Sequence, residues 1–205
     1  MKKFMAIAAL WLAAGAAQAA MTPPDELVKD VMLEVQRLIQ QDKALQSGDR
    51  ARTLGLIEQK VLPHFDHRGM TALAVGQHWR KASPQQKQRL AEEFRTLLMR
   101  TYASSLSAFG DQKFEFRPLK LKPDDTDVSV QVRVLQSGAQ PIPVEYDMEK
   151  TARGWKCYDV RVGGISLVVN YRTEFSNIVR DKGIDGLIEA LETKNKALAA
   201  SDAKK

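Results

Sequence analysis

Apolar residues recur at helical spacing through the first half of the chain and at alternate positions through much of the second. Val28, Val31, Met32, Val35, Leu38 and Ile39 fall on one face of a 3.6-residue period. Thr22-Pro23-Pro24-Asp25 precedes them with a capping residue, prolines for the first turn and an acid for the positive helix end. Gly48 is read as the close of this helix. A second helix is predicted from Asp49 to Leu62, with Leu54, Ile57, Val61 and Leu62 inward, and Pro63 ends it. A short third helix holds Met70, Leu73, Ala74 and Trp79. Ser83-Pro84-Gln85-Gln86 then forms a capping box with Pro at the first helical position. Behind it Leu90, Phe94, Leu97, Leu98, Tyr102, Leu106 and Phe109 step along one face. Lys87, Arg89, Glu92, Arg95 and Arg100 occupy the other.

After Gly110 the period changes. Phe114 and Phe116 alternate with charges until Pro118. Val128, Val130, Val132 and Val134 alternate with Ser129, Gln131 and Arg133, the pattern of a half-buried strand. Gln136-Ser137-Gly138-Ala139 turns the chain, and Ile142, Val144, Tyr146 and Met148 make the next strand. Arg153-Gly154 leads into a fourth, from Trp155 to about Val162. Such short connections imply an antiparallel meander. Gly163-Gly164 breaks the run, a helix follows over Asn170 to Arg180, Gly183 caps it, and Asp185 to Leu191 forms a last helix. Thr193 to Lys205 reads as a polar, disordered tail. The layout is α+β, an antiparallel sheet of about four strands with helices over one face, in a single domain of residues 20–192.

The chain has 205 residues, 44% hydrophobic and 27% charged, which excludes collagen-like, disulfide-scaffold and wholly disordered classes. Residues 1–19 read as a cleaved signal peptide. Met1-Lys2-Lys3 is basic, Phe4 to Ala17 is apolar and small, and Ala17-Gln18-Ala19 is a small-x-small cleavage site. Removing Lys2 and Lys3 lowers the net charge from +6 to +4. The expected compartment is the periplasm. Lys and Arg are scattered among 25 acids rather than gathered in a stripe, which argues against nucleic acid. Cys157 has no disulfide partner and lies in a strand-like run, so it is read as a small buried hydrophobe.

Candidate chemistry is sparse. His64, Asp66 and His67 lie close in sequence and His78 follows, but their spacing matches no standard zinc pattern. No metal or cofactor is expected. Gly163-Gly164-Ile165-Ser166 superficially suggests a nucleophilic serine, but Val168 stands where the last Gly of a nucleophile elbow belongs. Asp124-Asp125 is read as a solvated turn. The chain is expected not to be an enzyme. What remains is the quantity of large apolar residues on opposed elements. They either fill one another or enclose an apolar ligand cavity, and pattern alone leaves both open.

Val61-Leu62-Pro63-His64-Phe65-Asp66 resembles the motif of the MlaC, or toluene-tolerance, family of periplasmic phospholipid carriers. Leu73-Ala74-Val75-Gly76, Trp79-Arg80, Ser83-Pro84-Gln85-Gln86 and Thr101-Tyr102 agree in order. So do Gly154-Trp155-Lys156-Cys157-Tyr158-Asp159-Val160, Gly163-Gly164-Ile165-Ser166-Leu167, Asn170-Tyr171-Arg172 and Gly183-Ile184-Asp185-Gly186-Leu187. The resemblance implies a nuclear-transport-factor-like sheet wrapped by N- and C-terminal helices around a pocket for acyl chains. It implies a monomer that carries glycerophospholipid between an outer-membrane lipoprotein–porin complex and an inner-membrane lipid ABC transporter, maintaining outer-membrane lipid asymmetry and solvent resistance. Phe94, Leu98, Tyr102, Val132, Val144, Tyr146 and Ile165 are the expected pocket lining. Arg80, Lys81, Arg161 and Arg172 are the candidate docking charges around its mouth. Two other readings compete: a periplasmic adaptor with a filled core and only protein partners, and a hydrolase using Ser166.

Overall fold

The computed structural model describes residues 21–135 and 138–202, so the expected signal peptide, two turn residues and the last three residues lie outside it. Helix α1 spans Pro24–Gln41. Pro23 precedes it with no side-chain cap, so Thr22 does not take that role. The helix also stops before Gly48. Asp42 is extended and its Oδ1 accepts the amides of Ala44 (2.9 Å) and Leu45 (3.4 Å), starting the short α2, Lys43–Gln46. An Asx cap inside the apolar pattern thus ends one helix and opens the next.

Asp49 caps α3 (Arg50–Leu56), which widens into a π turn over Ile57–Val61 and tightens into a 3₁₀ turn over Leu62–His64. The expected single helix therefore changes its winding twice before Pro63 ends it. Asp66 caps α4, His67–Val75, by accepting the Arg68 amide at 3.1 Å. Gly69 makes room for that carboxylate, since a Cβ at this position would sit 2.2 Å from Asp66 Oδ2. Gly69→Ala should therefore push Asp66 out of its cap and cost about 1 kcal/mol, the usual value of an N-cap. A urea titration measures it.

The capping box opens α5, Pro84–Ser107, as expected: Ser83 Oγ accepts the Gln86 amide and Gln86 Oε1 accepts the Ser83 amide, at 3.2 and 3.0 Å. The last helix, α6, runs from Arg172 to Asp202 with a break at Gly183, whose φ of 72° and ψ of −177° are not helical. It continues past Thr193, where a disordered tail was expected. Burial of Asn195, packing of Leu198 on the α4–α5–α6 core and two ion pairs to Asp202 hold it.

The sheet has five strands, not four, in the order β1-β2-β3-β4-β5 and antiparallel throughout. They are β1 Lys113–Phe116, β2 Asp127–Leu135, β3 Ile142–Thr151, β4 Gly154–Val162 and β5 Ile165–Ser166. Gly163 and Gly164, at φ 59° and 83°, form a two-residue hairpin instead of a simple break. A register shift at Asp147/Met148 sets the inward face of β4. Strict alternation from Trp155 and Cys157 would send Asp159 and Arg161 inward. The bulge turns Val160 and Val162 inward instead and leaves Arg161 outside, bonded to Glu145 and Asp147 at 2.7 and 2.8 Å.

Two main cores result. Leu90, Phe94 and Leu97 of α5 pack with α4 and α6, and Phe94 sits edge-on to Tyr171 and Phe175 at 5.2 Å each. Val28 and Met32 of α1 pack on Val130, Val132, Met148 and Trp155 of the sheet. Between them the packing is incomplete.

Candidate functional site

The space between α1, the end of α5 and the sheet is a cavity of about 510 Å³. Val134, Val144, Tyr146, Val160 and Val162 form its sheet wall, and Val28, Val31, Met32 and Val35 of α1 face them. Gln36 and Gln40 hang α1 in place. Gln36 Nε2 donates to the Gln112 carbonyl at 2.7 Å and Gln40 Nε2 to that of Gly110 at 2.8 Å. A smaller compartment of about 180 Å³ lies between the π turn and α5, walled by Ile57, Leu62, Met70, Leu98 and Met99. Val61, Phe65, Tyr102, Leu106, Val160 and Leu167 line both, so the two compartments share a wall.

The motif segment Leu62–Asp66 is seated against β4. The Asp66 amide donates to the Cys157 carbonyl at 2.8 Å and Lys156 Nζ to the Pro63 carbonyl at 2.5 Å. This places Phe65 in the shared wall.

Arg95, which lines the smaller compartment, is paired with Glu58 at 2.8 Å, and other polar groups on these walls are held neutral. Burial pushes the Tyr146 phenol far above its ordinary value, and its hydroxyl donates to Met32 Sδ at 3.6 Å. Burial also lowers His64 and His67, with help from Lys156 and Arg95 respectively, so both imidazoles are uncharged at pH 7. Cys157 is buried, its thiol raised well out of the reactive range by desolvation, and it donates to the Asp159 carbonyl at 3.1 Å.

The seven expected lining residues divide. Leu98 lines the smaller compartment, Val144 and Tyr146 the larger, and Tyr102 both. Phe94 is fully buried in the α4–α5–α6 core and Val132 in the sheet core, so neither borders the space. Ile165 is 65% exposed at the hairpin and borders neither compartment. Its neighbour Leu167 does, because β5 is only two residues long and the chain turns back there. The apolar stripe of α5 is thus shared out, its first half to solid core and its second to the cavity. The contribution of α1 was missed. Its apolar face was plain in the sequence, but nothing local says which element it opposes.

Among the described residues no three His, Cys, Asp or Glu side chains gather as a metal would require. His78 bonds Ser176, and Asp66 caps α4 and shares a side-chain hydrogen bond with Glu149. Ser166 Oγ accepts the amides of Val168 and Val169, at 3.2 and 2.8 Å, and so folds the loop after β5. Of the candidate docking charges, Arg80 and Lys81 are exposed. Arg161 is tied to Glu145 and Asp147, and Arg172 donates twice to the Leu73 carbonyl, at 2.7 and 3.1 Å. No helix among the described residues is long and apolar enough to cross a membrane.

Comparison with known proteins agrees with this geometry. The solved structure of a phospholipid-binding protein from Ralstonia solanacearum, in complex with a phospholipid, superposes with a TM-score of 0.78. The two are 33% identical over 85% of this chain and 98% of that one. The intermembrane phospholipid transport system binding protein MlaC of Haemophilus influenzae is 23% identical over 82% of this chain and 76% of its own. Toluene tolerance protein ttg2D of Pseudomonas putida is 33% identical over about half of each chain, 52%. The family model described as MlaC protein matches residues 29–193, and the chain accordingly belongs to the MlaC family.

Proposed function

We propose that the protein is a periplasmic phospholipid carrier whose two adjoining compartments shield acyl chains from water. The observation that carries this reading is a cavity of about 510 Å³ walled almost wholly by aliphatic and aromatic side chains, in a member of the MlaC family. Leu98, Tyr102, Val144 and Tyr146 act as lining, joined by the apolar face of α1. The energetics call for such enclosure. Acyl chain gains about 0.8 kcal/mol per buried CH₂, so a diacyl lipid of about thirty methylenes would cost on the order of 20 kcal/mol to expose. Cargo then passes between an outer-membrane lipoprotein–porin complex and an inner-membrane lipid transporter, with Arg80 and Lys81 available to dock. No catalysis is assigned, because Ser166 and Cys157 are committed to structure.

Native mass spectrometry of freshly purified protein tests the reading. Co-purified phospholipid is the expected result. An empty mass would favour an adaptor with protein partners alone, and fatty acid released from added lipid would favour a hydrolase. The walls offer no phosphate-binding loop, and burying a phosphate there would be costly, so the headgroup stays in water. Lipids of equal chain length and different headgroup should therefore load to similar extents. A strong preference that survives high salt would reveal a polar subsite.

A further inference from the structure

Helix α6 continues beyond residue 193, where the family match ends, to Asp202. Leu198 packs this extension on the helical core, and polar contacts fix it on either side. Asn195 is buried, and its Nδ2 donates to the carbonyl and carboxylate of Glu93 at 2.9 and 2.7 Å. Asp202 lies between two arginines. Arg50 Nε donates to its Oδ1 at 2.7 Å and Arg100 Nη1 to its Oδ2 at 2.5 Å. Arg50 reaches Arg100 as well, through a bond from Nη2 to the Arg100 carbonyl. The three side chains are only 15 to 22% exposed, so solvent screens the charges weakly.

The position of this clamp matters more than its strength. Arg50 is the first residue of α3, which runs directly into the π turn bearing Ile57 and Val61. Arg100 lies on α5 between Met99 and Tyr102. These two segments are the opposed walls of the smaller compartment. Asp202 therefore pins together the bases of two jaws whose tips hold the space. Without its charge the two guanidiniums face each other and repel.

The geometry points to the α6 extension as a strap that fixes the width of the smaller compartment, and with it how much acyl chain the protein accepts. Asp202 acts as a positioning residue that touches no cargo. The inference rests on the carrier reading for its effect on cargo, but its mechanical part can be read without any lipid.

Wild-type, Asp202→Asn, Asp202→Glu and Arg50→Lys proteins are compared by hydrogen exchange and by native mass spectrometry of bound lipid, with circular dichroism as the control for folding. In Asp202→Asn, amides of residues 53–61 should exchange about tenfold faster while those of the sheet stay unchanged. Its bound lipid should shift to longer or more numerous chains, and Asp202→Glu should restore both readings. Arg50→Lys keeps the charge but not the forked reach, and it serves as the second variant should Asp202→Asn fail to fold. Unchanged exchange at 53–61 in a folded variant overturns the strap. Faster exchange with an unaltered lipid profile overturns its control of cargo and leaves the carrier reading intact. A wild-type protein without lipid overturns the carrier reading, and the exchange result still decides whether the strap exists.

Discussion

Leu167→Glu protein is expected to leave its expression host with the cavity empty, whereas Ile165→Glu, two residues away, keeps its cargo. Leu167 lines both compartments, and its amide is anchored to the Val160 carbonyl at 2.8 Å. Its side chain is only half-buried, so replacing it does not empty a packed core. A carboxylate there meets acyl chains, and Arg95 of the smaller compartment is already paired with Glu58 at 2.8 Å, so the penalty for such an ion is several kcal/mol. At 1.4 kcal/mol per tenfold, occupancy should fall about a thousandfold. Ile165 points into water at the hairpin and borders neither space, so a charge costs nothing there. Native mass spectrometry of both proteins, with circular dichroism to confirm folding, gives the answer. A fully loaded Leu167→Glu protein would remove this residue from the wall. An emptied Ile165→Glu protein would make the hairpin tip part of the entrance.

Phe94→Ala should be the most destabilising truncation and should act through the fold, not the cargo. Its side chain is fully buried among Leu90, Leu97, Phe175, Leu187 and Ile188, with two edge-on ring contacts at 5.2 Å. Removing a buried phenyl costs about 3–5 kcal/mol. For a domain of this size each kcal/mol moves Tm by about 2–4 °C, so a fall of roughly 10 °C is expected. The molecules that remain folded should hold lipid of the same chain-length distribution as wild type. A changed distribution with unchanged Tm would return Phe94 to the pocket wall.

The two cases show where sequence reasoning succeeded and where it stopped. The capping box at Ser83 and the valine alternation of β2 are local signals, and both elements form as read. The bulge at Asp147/Met148 is not local in this sense, because it depends on which neighbour β4 pairs with. The same holds for α5. Six of the seven stripe residues lie on α5, with Phe109 in the 3₁₀ turn after it, but only the placement of α6 and α1 decides that Phe94 meets other rings while Tyr102 meets open space. The order in α6 past Thr193 escaped notice for another reason. Its contacts are to Glu93, Arg50 and Arg100, about a hundred or more positions away, and polar composition alone carries no sign of them. Ile165 is expected in the lining from its place beside Gly163-Gly164, but those glycines close a two-residue hairpin that presents it to solvent.

The incomplete packing between α1 and the sheet makes whatever fills that space a working part of the core. A ligand that binds only the folded state stabilises it by mass action, by about 2.7 kcal/mol at a hundred times its dissociation constant. Delivery and loosening are then one event. Under the carrier reading, a membrane complex that drew acyl chains from this protein would receive them from a molecule that melts at a lower temperature once they are gone. The empty form is then the softer one, since the face of α1 that borders the space loses its partner while Val28, Met32, Val35 and Ile39 and the glutamine bonds at Gln36 and Gln40 keep the helix attached. Under the same reading that softness favours reloading, since a slack α1 admits new cargo more readily than a closed one.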